Sequence, residues 1–266
     1  MTHTFAEDTL PPDVVDALLG RRPGTGLGVR GWGASSQRGS ARSANEDAFG
    51  ARGGRVFVLA DGMGGRPGGA GAADAAVATL LDDLDTASAD VGWDRVVANA
   101  NRAVIARAVR DGHPRIGAAV VAARVADGRV TILHLGDARA YRLRDGDATQ
   151  LTSDHNIAAE VERARVDPAR IGLASTALSA LTVFLGDPGS SDGFGVRSVT
   201  MAAGDRLVLC SDGVHAALSP DGWQTAAART NPEDVAALLV EAAVAAGSTD
   251  DATALVIAFG SPPWTS

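Results

Sequence analysis

The sequence predicts an α+β fold in which antiparallel sheets are covered by helices. Two observations carry that prediction. Apolar runs are joined by tight-turn residues: Ala118–Val125 and Val130–Leu135 flank Ala126-Asp127-Gly128-Arg129, and Ala138–Leu143 leads into Asp145-Gly146. Such spacing belongs to hairpins, because a parallel crossover needs a dozen or more residues. The long helical patterns, in contrast, come as a consecutive pair, about Ala70–Ala87 and Trp93–Arg110, alanine-rich, amphipathic and without internal proline. A doubly wound parallel sheet would instead alternate strand and helix.

Taken in order, residues 1–26 begin polar, pass through a short candidate helix (Pro12 to Leu19) and end in RRPGTGLG. They read as an appendage with a glycine-rich linker, ahead of one domain over 27–261 and a tail at 262–266. The domain opens with a strand at Val29–Ser35, a loop carrying Arg42 to Asp47, and a strand at Arg55–Ala60 that enters the D-G-M-G-G turn. After the helix pair and the hairpins come a helix near Ile157–Arg165, a poorly patterned stretch to Gly195 and a strand at Arg206–Cys210. A helix at Pro232–Ala246 and a strand at Thr253–Phe259 complete the domain.

Composition narrows the function classes. With 266 residues, 45% hydrophobic and 21% charged, the chain can bury a substantial core. Its 24 basic and 32 acidic residues give a net charge of −8, which argues against a nucleic-acid surface and so against a nuclease. Every basic residue other than histidine is arginine, so a phosphate-binding loop ending in Gly-Lys is impossible, as is Schiff-base chemistry. One cysteine, Cys210, excludes an intrachain disulfide and fits a reducing compartment. No run is long and apolar enough to span a membrane, and the first residues lack a signal peptide's pattern, so the expected location is the cytoplasm.

The chemistry lies in aspartates at the ends of apolar runs: VFVLADG, VTILHLGD and LVLCSDG place Asp61, Asp137 and Asp212 beside glycines. Glu46 and Asp47 in SANEDAF, and Asp250 with Asp251 in GSTDDAT, join them. Carboxylates gathered at one sheet edge repel unless protons or cations intervene. Oxygen-only donors suit hard cations, Mg²⁺ or Mn²⁺, whereas zinc usually recruits His or Cys. Glycine beside an acid permits close backbone approach, which makes the Gly62 carbonyl a further candidate ligand. Two such ions clamp the oxygens of a phosphoryl group. Arg42, just before Asn45-Glu46-Asp47, supplies a guanidinium fork that matches phosphate. Hydrolysis of a phosphate ester is the leading expectation.

Six fragments in this order, R-S-A-N-E-D (42–47), A-D-G-M-G-G (60–65), G-D-A-R-A-Y (136–141), L-T-S-D-H (151–155), S-D-G (211–213) and G-S-T-D-D-A-T (247–253), resemble the metal-dependent type 2C Ser/Thr protein phosphatases, the PPM family, in its bacterial form. The resemblance implies a β-sandwich of two antiparallel sheets flanked by α-helices, with the metal site at one end. By motif, Asp61 would bridge two Mn²⁺ or Mg²⁺ ions, the Gly62 carbonyl would bind one, and Asp212 and Asp250 would hold the other. Glu46 and Asp47 would support the pair, Asp137 would join a third, weaker ion, and Arg42 would bind the substrate phosphate. Arg42, Asp61 and Asp212 are thereby the expected catalytic set. Partners implied are phosphorylated Ser/Thr proteins, a Ser/Thr kinase among them, acted on by a monomer without nucleic acid or membrane.

Three departures from the family pattern stand out. Met63 occupies a position where eukaryotic members often carry a histidine; Val183 in L-T-V-F-L-G replaces an arginine; and the segment at 157–180 has no clear motif. Asp251 stands where the family usually has asparagine. The rival reading is a pseudophosphatase that binds a phosphoprotein without turnover. Read alone, Asp127 and Asp145 are hairpin residues, and Asp137 caps a strand end and pairs with Arg139. Cys210 is a core thiol, since Ala216 sits where cysteine-dependent phosphatases need arginine. His134 is structural, and His155 and His215 lie near the site without an assigned role.

Overall fold

The computed structural model describes residues 27–64, 68–87, 91–113, 116–126, 128–167, 172, 174–188 and 193–260. The predicted helix at Pro12–Leu19, the linker and the tail fall outside these residues. Among these residues, ten strands and the helices between them begin in the order β1 (Gly28–Gln37), β2 (Asp47–Arg52), β3 (Val56–Met63), α1 (Gly68–Thr86), α2 (Trp93–Asp111), β4 (Gly117–Ala126), β5 (Arg129–Leu135), β6 (Arg139–Arg144) and β7 (Asp147–Gln150). Then follow α3 (Ile157–Arg163), α4 (Ser175–Leu178), β8 (Gly195–Val199), β9 (Arg206–Cys210), α5 (Asp212–His215), α6 (Pro220–Ala227), α7 (Pro232–Ala245) and β10 (Ala252–Gly260).

The strands form two five-stranded sheets, ordered β1-β10-β9-β6-β7 and β2-β3-β4-β5-β8, and every pairing is antiparallel. Successive side chains on a strand face opposite ways, so a strand covered on both sides is apolar throughout. In β3, Phe57 and Leu59 enter the core between the sheets with Ile132, Leu207, Leu209, Leu255 and Ile257. Val56, Val58 and Ala60 face the other way, under Leu80, Leu84, Val97 and Val104 of α1 and α2. On the opposite outer face, Val208, Cys210 and Val256 lie under Trp223 of α6 and Val235 and Leu239 of α7. The result is the β-sandwich flanked by helices that the sequence implied, with Cys210 a buried core thiol.

Local signals account for most element ends. Asp145 (φ 52°) and Gly146 (φ 86°) both take left-handed conformations and set Arg144 opposite Asp147, as a two-residue hairpin of the primed type requires. Helix α7 starts with Asn231, whose side chain accepts a hydrogen bond from the Glu233 amide at 2.8 Å, with Pro232 in its first turn. Asn231→Ala is expected to cost about 1 kcal/mol and to lower the melting temperature by about 2–4 °C; thermal denaturation with no shift would remove the cap from the account.

Other elements differ from expectation. Strand β3 does not stop at Ala60: its pairing with β4 continues to Met63 opposite Gly117, so Asp61 and Gly62 lie inside the strand. Asp47 is likewise not a loop residue but the first of β2, which pairs with β3 along its whole length. Strand β8 and helix α6 fall where the sequence reading assigned no element, β8 starting at the end of the poorly patterned stretch.

Candidate active site

At one end of the sandwich the β2–β3 register sets Asp47 directly across from Asp61. The turn after β5 delivers Asp137, the end of β9 delivers Asp212 as the first residue of α5, and the approach to β10 delivers Asp250. These acids sense one another. Burial raises the Asp61 carboxyl well above the ordinary carboxylate range, and the charges of Asp47, Asp212, Asp137 and Asp250 add to it. Burial pushes Asp47 up to about 7, against hydrogen bonds from Thr253 and Ser211. Burial also pushes Asp137 up to about 7, helped by Asp212 and Asp154. Asp212 is raised by burial and by Asp250, while its hydrogen bond with Asp61 acts the other way.

The carboxylates find partners within the protein. Ser211 Oγ donates to Asp47 Oδ2 at 2.8 Å, and Arg42 Nη2 donates to Asp250 Oδ2 at 2.6 Å. Arg42 Nη1 lies 3.6 Å from Glu46 Oε2. Among the described residues, no three His, Cys, Asp or Glu side chains stand as a ready ligand set around one point. Asp47 Oδ1 is buried and has no hydrogen-bond partner. A buried acceptor left unpaired beside mutually repelling acids fits a hard divalent cation, which supplies the missing positive charge.

Gly62 owes its identity to space. Its amide donates to the Glu46 carbonyl at 3.1 Å, and a Cβ there would sit 2.2 Å from the Gly69 carbonyl oxygen of α1. The strand carrying Asp61 thus packs directly beneath the first turn of α1, and Glu46 is buried against the same turn.

All eight residues expected from sequence lie at this end of the molecule or in the segments that form it, but one pairing differs. Arg139 does not pair with Asp137; it grips Asp154 through two hydrogen bonds of 2.8 and 2.7 Å. The Asp137 carbonyl instead meets His215 Nε2 at 2.9 Å. His134 is structural, as expected: it is buried, bonded to the Ser153 carbonyl at 3.0 Å and stacked on His155 with ring centroids 4.7 Å apart. Sequence reading missed Ser211, Thr253 and the role of Asp251; Ser211 had only its place before Asp212 to mark it.

Comparison with known proteins settles the family. The protein phosphatase 2C profile matches residues 34–247, most of the chain. This chain belongs to the protein phosphatase 2C family. The Ser/Thr protein phosphatase PstP of Mycobacterium tuberculosis is 33% identical over 235 residues, 84% of this chain and 44% of that protein. The chain therefore spans less than half the length of that relative. Among solved structures, the PPM Ser-Thr phosphatase MsPP of Mycobacterium smegmatis, crystallised with cacodylate, superposes with a TM-score of 0.76 at 31% identity, over 87% of this chain and 99% of that one. The PstP catalytic domain, crystallised with two manganese ions, gives a TM-score of 0.73 at 29% identity, over 88% and 99%. The two antiparallel sheets and their helices are the 2C phosphatase fold, and no helix among the described residues is long and apolar enough to cross a membrane.

Proposed function

We propose that this chain hydrolyses phosphoserine and phosphothreonine in proteins, with two Mn²⁺ or Mg²⁺ ions held by Asp61, the Gly62 carbonyl, Asp212 and Asp250. Glu46 and Asp47 support that pair, and Asp137 reaches a third, weaker ion. When bound, the ions supply Lewis acidity toward water and the phosphoryl group. The observation that carries this reading is the cluster of partly buried, mutually raised carboxyls at Asp47, Asp61, Asp137 and Asp212, with the Arg42 guanidinium at its rim on Asp250.

The chain's own residues divide the remaining work. Asp250 and Glu46 orient Arg42, whose fork keeps donors for a phosphate beyond the one given to Asp250. Met63 cannot donate a proton, so the leaving alkoxide must take its proton from water in the site. The non-catalytic alternative draws no support, since every acid of the expected set is present and the relatives are named as phosphatases. A cytoplasmic monomer with a kinase among its substrates belongs to the same proposal.

Turnover of a phosphothreonine peptide is expected only with added Mn²⁺ or Mg²⁺ and to stop with a chelator; a folded protein inert under both conditions would sink the reading. Arg42→Ala is expected to raise KM for that peptide by roughly tenfold to a hundredfold, the worth of a charged hydrogen bond. Its kcat should change less, and an unchanged KM would remove Arg42 from phosphate binding.

A further inference from the structure

The short turn before β10 is bolted to the segment that carries Arg42, Glu46 and Asp47 by more bonds than the ligand role of Asp250 requires. The Ala41 amide donates to the Thr249 carbonyl at 3.0 Å, and Arg42 reaches Asp250. The Asp251 carboxylate then joins the two ends of the segment: Oδ1 accepts from the Gly39 amide and Oδ2 from the Glu46 amide, each at 2.8 Å. Asp251 is 3% exposed, and its own amide donates to Asp250 Oδ1 at 2.7 Å. Gly39 makes the close approach possible, because a Cβ there would lie 2.3 Å from the Asp250 carbonyl carbon.

We propose that Asp251 is a positioning residue for the phosphatase site: its carboxylate closes the 39–46 segment and thereby places Arg42 and Glu46. The inference rests on the catalytic reading above for its consequence, but its geometry stands without it. Both groups facing the side chain are N–H donors, so both of its oxygens must accept. Truncation to alanine would leave both buried amides without an acceptor. The backbone of the same residue fixes Asp250, since the Asp251 amide holds Asp250 Oδ1 while Arg42 holds Oδ2. The segment and the turn thus move as one piece.

Amide hydrogen exchange of the wild-type protein tests the clamp directly: the Gly39 and Glu46 amides should be protected like those of the β1–β10 ladder, and exchange at loop rates would overturn the proposal. In Asp251→Ala, both of these amides should exchange roughly tenfold to a hundredfold faster while the β4–β5 ladder is unchanged. The same variant should lose roughly tenfold to a hundredfold in kcat/KM, and much less when introduced into Arg42→Ala, because the two changes act through one element. Equal losses in both backgrounds, or wild-type exchange in the variant, would overturn it. Should Asp251→Ala fail to fold, the wild-type exchange rates still decide. A wild-type protein without turnover would overturn the catalytic reading and leave the exchange result standing.

Discussion

Asp61→Asn is expected to cut turnover by roughly a thousandfold and, in the presence of a chelator, to raise the melting temperature. The two effects share one cause. Asp61 is partly buried and feels four other carboxyls, an arrangement that opposes folding unless a proton or cation neutralises it. Asp212 is a near neighbour of Asp61, and an asparagine amide can donate to it without asking for a proton. Removal of the repelling charge should stabilise the protein by about 1–2 kcal/mol, a rise of about 3–5 °C. Catalysis should fall because, on the proposed role of Asp61, the variant would lose a ligand to ions that would supply several kcal/mol of transition-state stabilisation, or roughly a thousandfold in kcat/KM. Wild-type activity in the variant would dismantle the site as described. A fall in melting temperature would show that the acids are not in mutual repulsion.

The fold was legible where one residue pattern served one environment. VFVLA reads as a strand because β3 is covered on both faces, and the Asp145-Gly146 turn reads as a hairpin because both residues tolerate positive φ. Strand β2 was not legible: DAFGAR has neither alternation nor strong β-propensity, and its conformation comes from pairing with β3. The same cause hid the true end of β3, since β4 and not local sequence carries it through Asp61 and Gly62. Within the site, acids beside glycines could be read one motif at a time. Their supports could not, because the bond from Ser211 to Asp47 spans 164 residues and that from Glu46 to Asp251 spans 205. Arg139 illustrates the error that nearness in sequence invites. Asp137 is two residues away, yet β6 turns back through β7, and Asp154 arrives beside Arg139 from the far side of the hairpin.

Gly62→Ala is the substitution expected to damage the molecule most for the fewest atoms added. The new methyl would lie 2.2 Å from the Gly69 carbonyl oxygen and 2.5 Å from that of Glu46. Both are backbone atoms, so no side-chain rotation can relieve the contact. Strand β3 must part from α1 or from the segment before β2, and either movement displaces Asp61 or Glu46. Overpacking against side chains costs about 1–3 kcal/mol; a rigid backbone obstacle on two sides puts this case at about 3 kcal/mol or more. Thermal denaturation should show a loss of about 6–12 °C, with turnover reduced even well below the transition. Gly28→Ala supplies the contrast, since nothing lies within 4 Å of a Cβ there; it should stay within about 0.5 kcal/mol of wild type. If the two variants melted alike, the close passage of β3 beneath α1 would not be what fixes glycine beside Asp61.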